Sequence, residues 1–207
     1  MITSWTVLSA FLSVNAIIAF LYIPAMNRRR RHELAVSIAA AVESRAPITT
    51  ENHLQCSEIS AKIARKLGLK RQDIIQLQLS ALLHNIGQSA VPIAILRNTS
   101  PWHHEDEALF SRHPELGAAI LSQIPSLAQC SSAVQFHRAR FDTVKEAPIE
   151  SRIIGTVSEY LRLSRVLSPE RAMLAVEKES GMQFDPQVVN ALKIVQSHYH
   201  QVRRAQY

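Results

Sequence analysis

The sequence predicts an all-α protein: a helical bundle preceded by one N-terminal transmembrane helix. Three observations carry this expectation. Residues 5–26 form a run of 22 residues without a charge, and roughly 20 apolar residues span a bilayer as a helix. The remainder is rich in hydrophobic residues yet poor in Gly and aromatics, with no β-branched alternation. Prolines then recur where helices would begin, at His113-Pro114, Ala147-Pro148, Ser168-Pro169 and Asp185-Pro186.

The uncharged run contains Val7, Leu8, Phe11, Leu12, Ile17, Ile18, Phe20 and Leu21, with Trp5 and Tyr22 near its ends. Aromatic residues favour the membrane interface. Ser4, Ser9, Ser13 and Asn15 interrupt it, but such side chains can bond back to the helix. A cleaved signal peptide is the rival reading. It needs positive charge before the apolar run and a small-residue cleavage site after it, and neither is found. Arg28, Arg29, Arg30 and Arg31 follow the run instead. The positive-inside rule then places everything beyond them in the cytoplasm. The expectation is a single-pass inner-membrane protein with residues 1–27 as anchor and the lipid bilayer as a partner. Residues 28–48 form a basic juxtamembrane connecting helix, whose arginines meet anionic headgroups or serve only as a stop-transfer flank.

Beyond the arginines, residues 33–45 are Ala-rich and helical, and Pro47 ends them. Thr49 or Thr50 caps the next helix, which runs to Gly68 with Cys56, Ile59, Ile63 and Leu67 at helical spacing. Another helix spans residues 71–85. A connector holding Pro92 and Pro101 follows, then a helix over 105–112. Glu115 and Glu170 suit the dipoles of the later helices. Residues 49–207 thus make one helical domain.

The formal charge of +6 is mostly local, because the four arginines leave +2 for the rest. A nucleic-acid polymer is therefore not an expected partner. Cys56 and Cys130 have neither zinc-knuckle nor redox spacing and read as reduced core thiols.

Histidines carry the chemistry. Within the stretch 79–88 an apolar helix ends in His84, a polar residue and a Gly, and a buried imidazole there needs a partner. His53, His113 and His137 lie at other helix ends. Neutral imidazole ligates transition metals, and four separated elements can converge in a bundle core. Taken singly, each such histidine is more often a satisfied core or surface residue than a ligand. His103 and His104, with Glu105 and Asp106, read as an exposed helix start. His198 and His200 read as a solvated last turn.

The ordered pieces then carry a resemblance. They are Thr50-x-x-His53, Ala64-x-x-Leu67-Gly68-Leu69, Ala81-Leu82-Leu83-His84-Asn85-Ile86-Gly87 and Val91-Pro92-x-x-Ile95-Leu96. His113-Pro114-x-x-Gly117-x-x-Ile120-Leu121 and Gly181-Met182-Gln183-Phe184-Asp185-Pro186 follow. This order resembles the HD superfamily of metal-dependent phosphohydrolases, and most of all its HD-GYP branch, whose members hydrolyse cyclic di-GMP. The resemblance implies a metal set of His53, His84, Asn85, His113 and His137. It also exposes losses. The family's bridging Asp falls at Asn85, and its Lys at Gln88. Its His-His-Glu lands on His137-Arg138-Ala139, with Phe141-Asp142 after it. The Gly-Tyr-Pro loop is absent, and a later Asp ligand falls at Ser158. Two divalent cations packed together need bridging anions, and the set here is neutral.

The catalytic residues are therefore unassigned, with Gln88 and Arg138 as pocket candidates. Arg138 would set positive charge inside the site, or bind a phosphate. The losses favour a catalytically degenerate module in signalling or scaffolding, holding one or two divalent ions such as Fe or Mn weakly or not at all. The alternative is a phosphohydrolase, cyclic di-GMP phosphodiesterase-like, with reduced or altered activity. A cyclic dinucleotide or a signalling protein is the implied partner. A carboxylate from elsewhere, such as Asp142 or Glu150, could replace the lost ones.

Overall fold

The computed structural model describes residues 4–45, 52–98 and 100–204. Among them there is no strand; an isolated bridge joins Ser180 and Phe184. The chain opens with α1 (Ser4–Ile17), passes through a π-helical turn (Ile18–Tyr22) and continues as α2 (Ile23–Arg45). The π turn has a local cause. Pro24 lacks an N–H and its ring crowds the carbonyl one turn back, and a widened turn relieves that crowding. The Ile23 N–H bonds to the Ile18 carbonyl across it.

The segment Phe11–Arg45 is long and apolar enough to cross a membrane, and the bundle does not bury its apolar window. Trp5, Phe11, Phe20 and Leu21 are exposed. The polar side chains within the run do bond back: Ser13 Oγ donates to the Ser9 carbonyl at 2.9 Å and Asn15 Nδ2 to the Phe11 carbonyl at 2.8 Å.

Helix α2 then joins the bundle. Ala35, Ala39 and Val42 recur on one face and are buried. Ala35 packs with Leu79, Leu82, Leu83, Leu121 and Val134. Arg45 fixes its far end by donating to the carbonyls of Gln88, Ser89 and Val91.

The bundle comprises α3 (His53–Lys66), α4 (Arg71–Leu83), a 3-10 turn (Ile86–Ala90), α5 (Ile93–Leu96), α6 (His104–Ser111) and α7 (His113–Ser122). A second 3-10 turn (Ala128–Cys130), α8 (Ser131–Gln135), α9 (Ile149–Ser164), α10 (Pro169–Lys178) and α11 (Pro186–Arg204) complete it. The larger core joins α3, α4, α9, α10 and α11 through Ile63, Leu77, Ile153, Val176 and Leu192.

Local signals place most boundaries. All four proline sites begin helices: Pro114 in the first turn of α7, Pro148 as N-cap of α9, Pro169 after the cap Ser168, and Pro186 opening α11. The Thr49, Thr50 and Pro47 expectations lie outside the described residues, and Asn52 caps α3, accepting from the Gln55 N–H at 3.0 Å. Helix α4 ends at Leu83, two residues earlier than expected, because His84 caps it and Asn85 leaves helical geometry for the 3-10 turn. Both cysteines are free and buried, and burial pushes the Cys130 thiol up.

Candidate functional site

The four histidines come together. His53 opens α3, His84 caps α4, His113 opens α7 and His137 follows α8. Their rings form a row, with centroid separations of 5.3 Å (His53–His84), 5.2 Å (His84–His137) and 5.2 Å (His137–His113). All four are buried.

Three rings are fixed in the same way. Nδ1 donates to the carbonyl three residues earlier: His84 to Ala81 at 2.8 Å, His113 to Phe110 at 2.7 Å and His137 to Val134 at 2.7 Å. A carbonyl only accepts, so Nδ1 carries the proton and Nε2 holds the lone pair in the neutral ring. His53 differs. Its Nδ1 meets Glu43 Oε1 at 2.5 Å, and its backbone N–H donates to the same oxygen at 2.8 Å. One carboxylate from α2 thus caps α3 and orients its first side chain. Burial, then repulsion from His84 and His113, holds His137 well below the ordinary imidazole range, so it stays neutral.

Two glycines allow this convergence. A Cβ at Gly87 would stand 1.9 Å from the His113 carbonyl oxygen, and one at Gly155 would stand 2.2 Å from that of His137. Each glycine lets a neighbouring segment lie against the backbone of a site histidine. Neither they nor Glu43 were singled out for the site from sequence. The Glu43–His53 pairing joins two helices across 10 residues of chain, and close backbone approach leaves no local pattern.

The other candidates sit as follows. Asn85 is buried beside His84, and its Nδ2 has no hydrogen-bond partner among the described residues. Gln88 is also buried, its Oε1 unbonded among the described residues, and its backbone carbonyl is held by Arg45 at 3.1 Å. Arg138 is exposed and lies over the Phe110 ring at 5.8 Å. Its guanidinium lines the cavity beside His137 and acts electrostatically on that ring. Asp142 does not move in as a substitute: Arg140 engages it at 2.7 Å and holds its carboxyl low. Glu150 lies in the first turn of α9, half-buried. Ser158 donates to the Gly155 carbonyl at 3.3 Å.

A cavity of about 520 Å³ adjoins His137. Arg138, Arg152, Ser158, Glu159 and Lys178 are among its walls, and Gln88 is not. Arg152 is held by Asp185 at 3.1 Å and by the Lys145 carbonyl, and lies over Phe141.

These residues do not fit a pair of divalent cations. Among the described residues, no group of three or more His, Cys, Asp or Glu side chains stands arranged to hold a metal ion. The residue after His84 brings no charge. Glu43 touches the Nδ1 side of His53, the face away from a ring's Nε2. Packed cations lacking bridging anions repel one another without compensation.

A family model described as "HD domain" matches residues 36–188. The chain belongs to the HD domain family. Its match begins inside α2, so the helix that leaves the uncharged run is part of the HD domain as well as its lead-in. The chain is 25% identical over 179 residues to the cyclic di-GMP phosphodiesterase response regulator RpfG of Xanthomonas campestris, covering 79% of this chain and 47% of the relative. It is 27% identical over 149 residues to a cyclic di-GMP phosphodiesterase of Thermotoga maritima, covering 64% and 40%. It is 24% identical over 181 residues to the 3'3'-cGAMP-specific phosphodiesterase 2 of Vibrio cholerae, covering 80% and 35%. The chain spans less than half the length of these relatives. Among solved structures, an HDG"Y"P protein of Bdellovibrio bacteriovorus shares the fold with a TM-score of 0.63 at 17% identity, covering 82% of this chain and 62% of that one. A Vibrio cholerae cyclic GMP-AMP phosphodiesterase does so at 0.60 and 16%, covering 80% and 48%.

Proposed function

We propose that this chain is a membrane-anchored, cytoplasmic HD-GYP-type module with a degenerate catalytic centre, acting in signalling or as a scaffold. Residues 1–27 anchor it, 28–48 connect, and 49–207 bind. Its ligand is a cyclic dinucleotide, the substrate class of the relatives, or a partner protein. Asn85 carries this reading: a neutral amide is buried beside the central His84, where paired cations need a bridging carboxylate. The cavity beside His137 supports a binding role, since about 520 Å³ lies within the usual ligand-pocket range of about 300–1,000 Å³. Arg138 and Lys178 on its walls suit phosphate.

A second reading, a phosphohydrolase of reduced or altered activity, has one observation in its favour. His84, His113 and His137 have their Nδ1 atoms fixed by carbonyls, as metal-ligating imidazoles do. A single Fe or Mn ion, weakly held, is its cofactor.

The experiment uses the full chain in detergent. Metal content is measured after Mn and Fe loading, and hydrolysis and binding of cyclic di-GMP and 3'3'-cGAMP are assayed beside His84→Ala. Expected are substoichiometric metal, no turnover above His84→Ala, and retained binding of a cyclic dinucleotide. Two tightly held ions per chain, or turnover that His84→Ala abolishes, overturns the degenerate reading in favour of the enzyme.

A further inference from the structure

A second cavity lies where the uncharged run meets the bundle. It is an open cleft of about 540 Å³, walled by Pro24, Asn27, Arg28, Arg30 and Arg31 of α2 and by Gln72 and Ser126 of the bundle. None of its lining residues is acidic. Three of the four consecutive arginines face it. The fourth, Arg29, is turned away and paired with Glu33 at 2.7 Å. Arg31 is half-buried, and its Nε is buried without a hydrogen-bond partner among the described residues. A buried guanidinium N–H left unbonded is costly, and an anion against Arg31 in the cleft would offset its uncompensated charge.

The position selects the anion. Pro24 lines the cleft, and exposed Leu21, Tyr22 and Ile23 end the apolar surface just before it. A helix that crosses a bilayer over this run sets the cleft at the level of lipid phosphates. Gln72 and Ser126 add neutral groups that can hydrogen-bond phosphate oxygens from the opposite wall. We propose that the cleft binds the phosphate of an anionic phospholipid headgroup, clamped between the helix leaving the membrane and the bundle. The site fixes the angle at which the bundle stands on the membrane. This rests on the reading of the N-terminal run as an anchor.

The test is native mass spectrometry of the full chain released from micelles carrying phosphatidylglycerol or phosphatidylcholine. Vesicle flotation runs beside it. Arg28→Gln, Arg29→Gln and Gln72→Ala are compared; Arg28 and Arg29 are both exposed, and their loss changes net charge equally. Expected is retention of phosphatidylglycerol over phosphatidylcholine. Arg28→Gln lowers that retention about fivefold, Gln72→Ala lowers it measurably, and Arg29→Gln leaves it within about twofold. Equal losses for the two arginine variants, with Gln72→Ala silent, would mean diffuse attraction and overturn the site. Displacement of the lipid by equimolar inorganic phosphate would overturn the lipid as occupant. A chain that floats with vesicles yet retains no phosphatidylglycerol refutes this inference alone. A chain that floats with neither lipid refutes the anchor, and this inference with it.

Discussion

Adding one methyl group at Gly87 sets carbon against backbone. The new Cβ would lie 1.9 Å from the His113 carbonyl oxygen, 2.6 Å from the Gly117 nitrogen and 2.9 Å from the His113 carbonyl carbon. The nearest contact must open by about 1.5 Å to reach ordinary van der Waals separation. No rotamer relieves it, because all three obstacles belong to the main chain of α7. The 3-10 turn holding Asn85 and Gln88 must move away from α7, taking His84 and His113 apart. Overpacking costs about 1–3 kcal/mol and occasionally more. A backbone obstacle sets Gly87→Ala at the top of that range, about 3 kcal/mol. For a chain of this size that lowers Tm by about 6–12 °C. Gly68→Ala is the control: its φ of 77° strains an alanine, but nothing lies within 4 Å, so it costs about 1–2 kcal/mol. Thermal unfolding of the full chain in detergent, followed by circular dichroism, reads both. A Gly87→Ala variant no less stable than Gly68→Ala would refute the close approach as the reason for this glycine.

Two further outcomes follow from the same geometry. Glu43→Ala removes the acceptor of both His53 donors, and a hydrogen bond to a half-exposed carboxylate sets the loss at about 1–2 kcal/mol. Nitrogen NMR of the imidazoles should show the His53 Nδ1 proton lost to fast exchange, and an unchanged His53 spectrum would rule out the pairing. Because burial holds His137 neutral in the folded state, the unfolded chain takes up its proton first as pH falls below the ordinary value of 6.5. Stability is therefore full above that value and declines below it, by up to about 1.4 kcal/mol per pH unit for one proton. Denaturant midpoints that match at pH 7.5 and pH 5.5 would contradict this.

Much of the fold was legible because its signals are local. Proline in the first turn, a capping Ser168 and a face repeating every three to four residues act within one helix. The histidines were legible as candidates for the same reason: each ends or begins an element. The order of the motifs named the family before any geometry was known.

Where two elements had to meet, local signals ran out. Nothing near residue 43 says that its carboxylate reaches His53. Nothing around Asp142 says that Arg140 will occupy it. Nothing around Arg138 says that it will lie over the Phe110 ring, a contact between separate elements. Residue order alone carries an uncharged N-terminal run, a helical bundle, four histidines at helix ends and a neutral Asn85 beside the central one. Helix packing is what brings the four rings together, seats Gly87 and Gly155 against their backbones, and turns three arginines to a cleft and the fourth to Glu33. The physical reason is range. Helical period and capping act over a few residues, whereas the separations within the site depend on how whole helices pack.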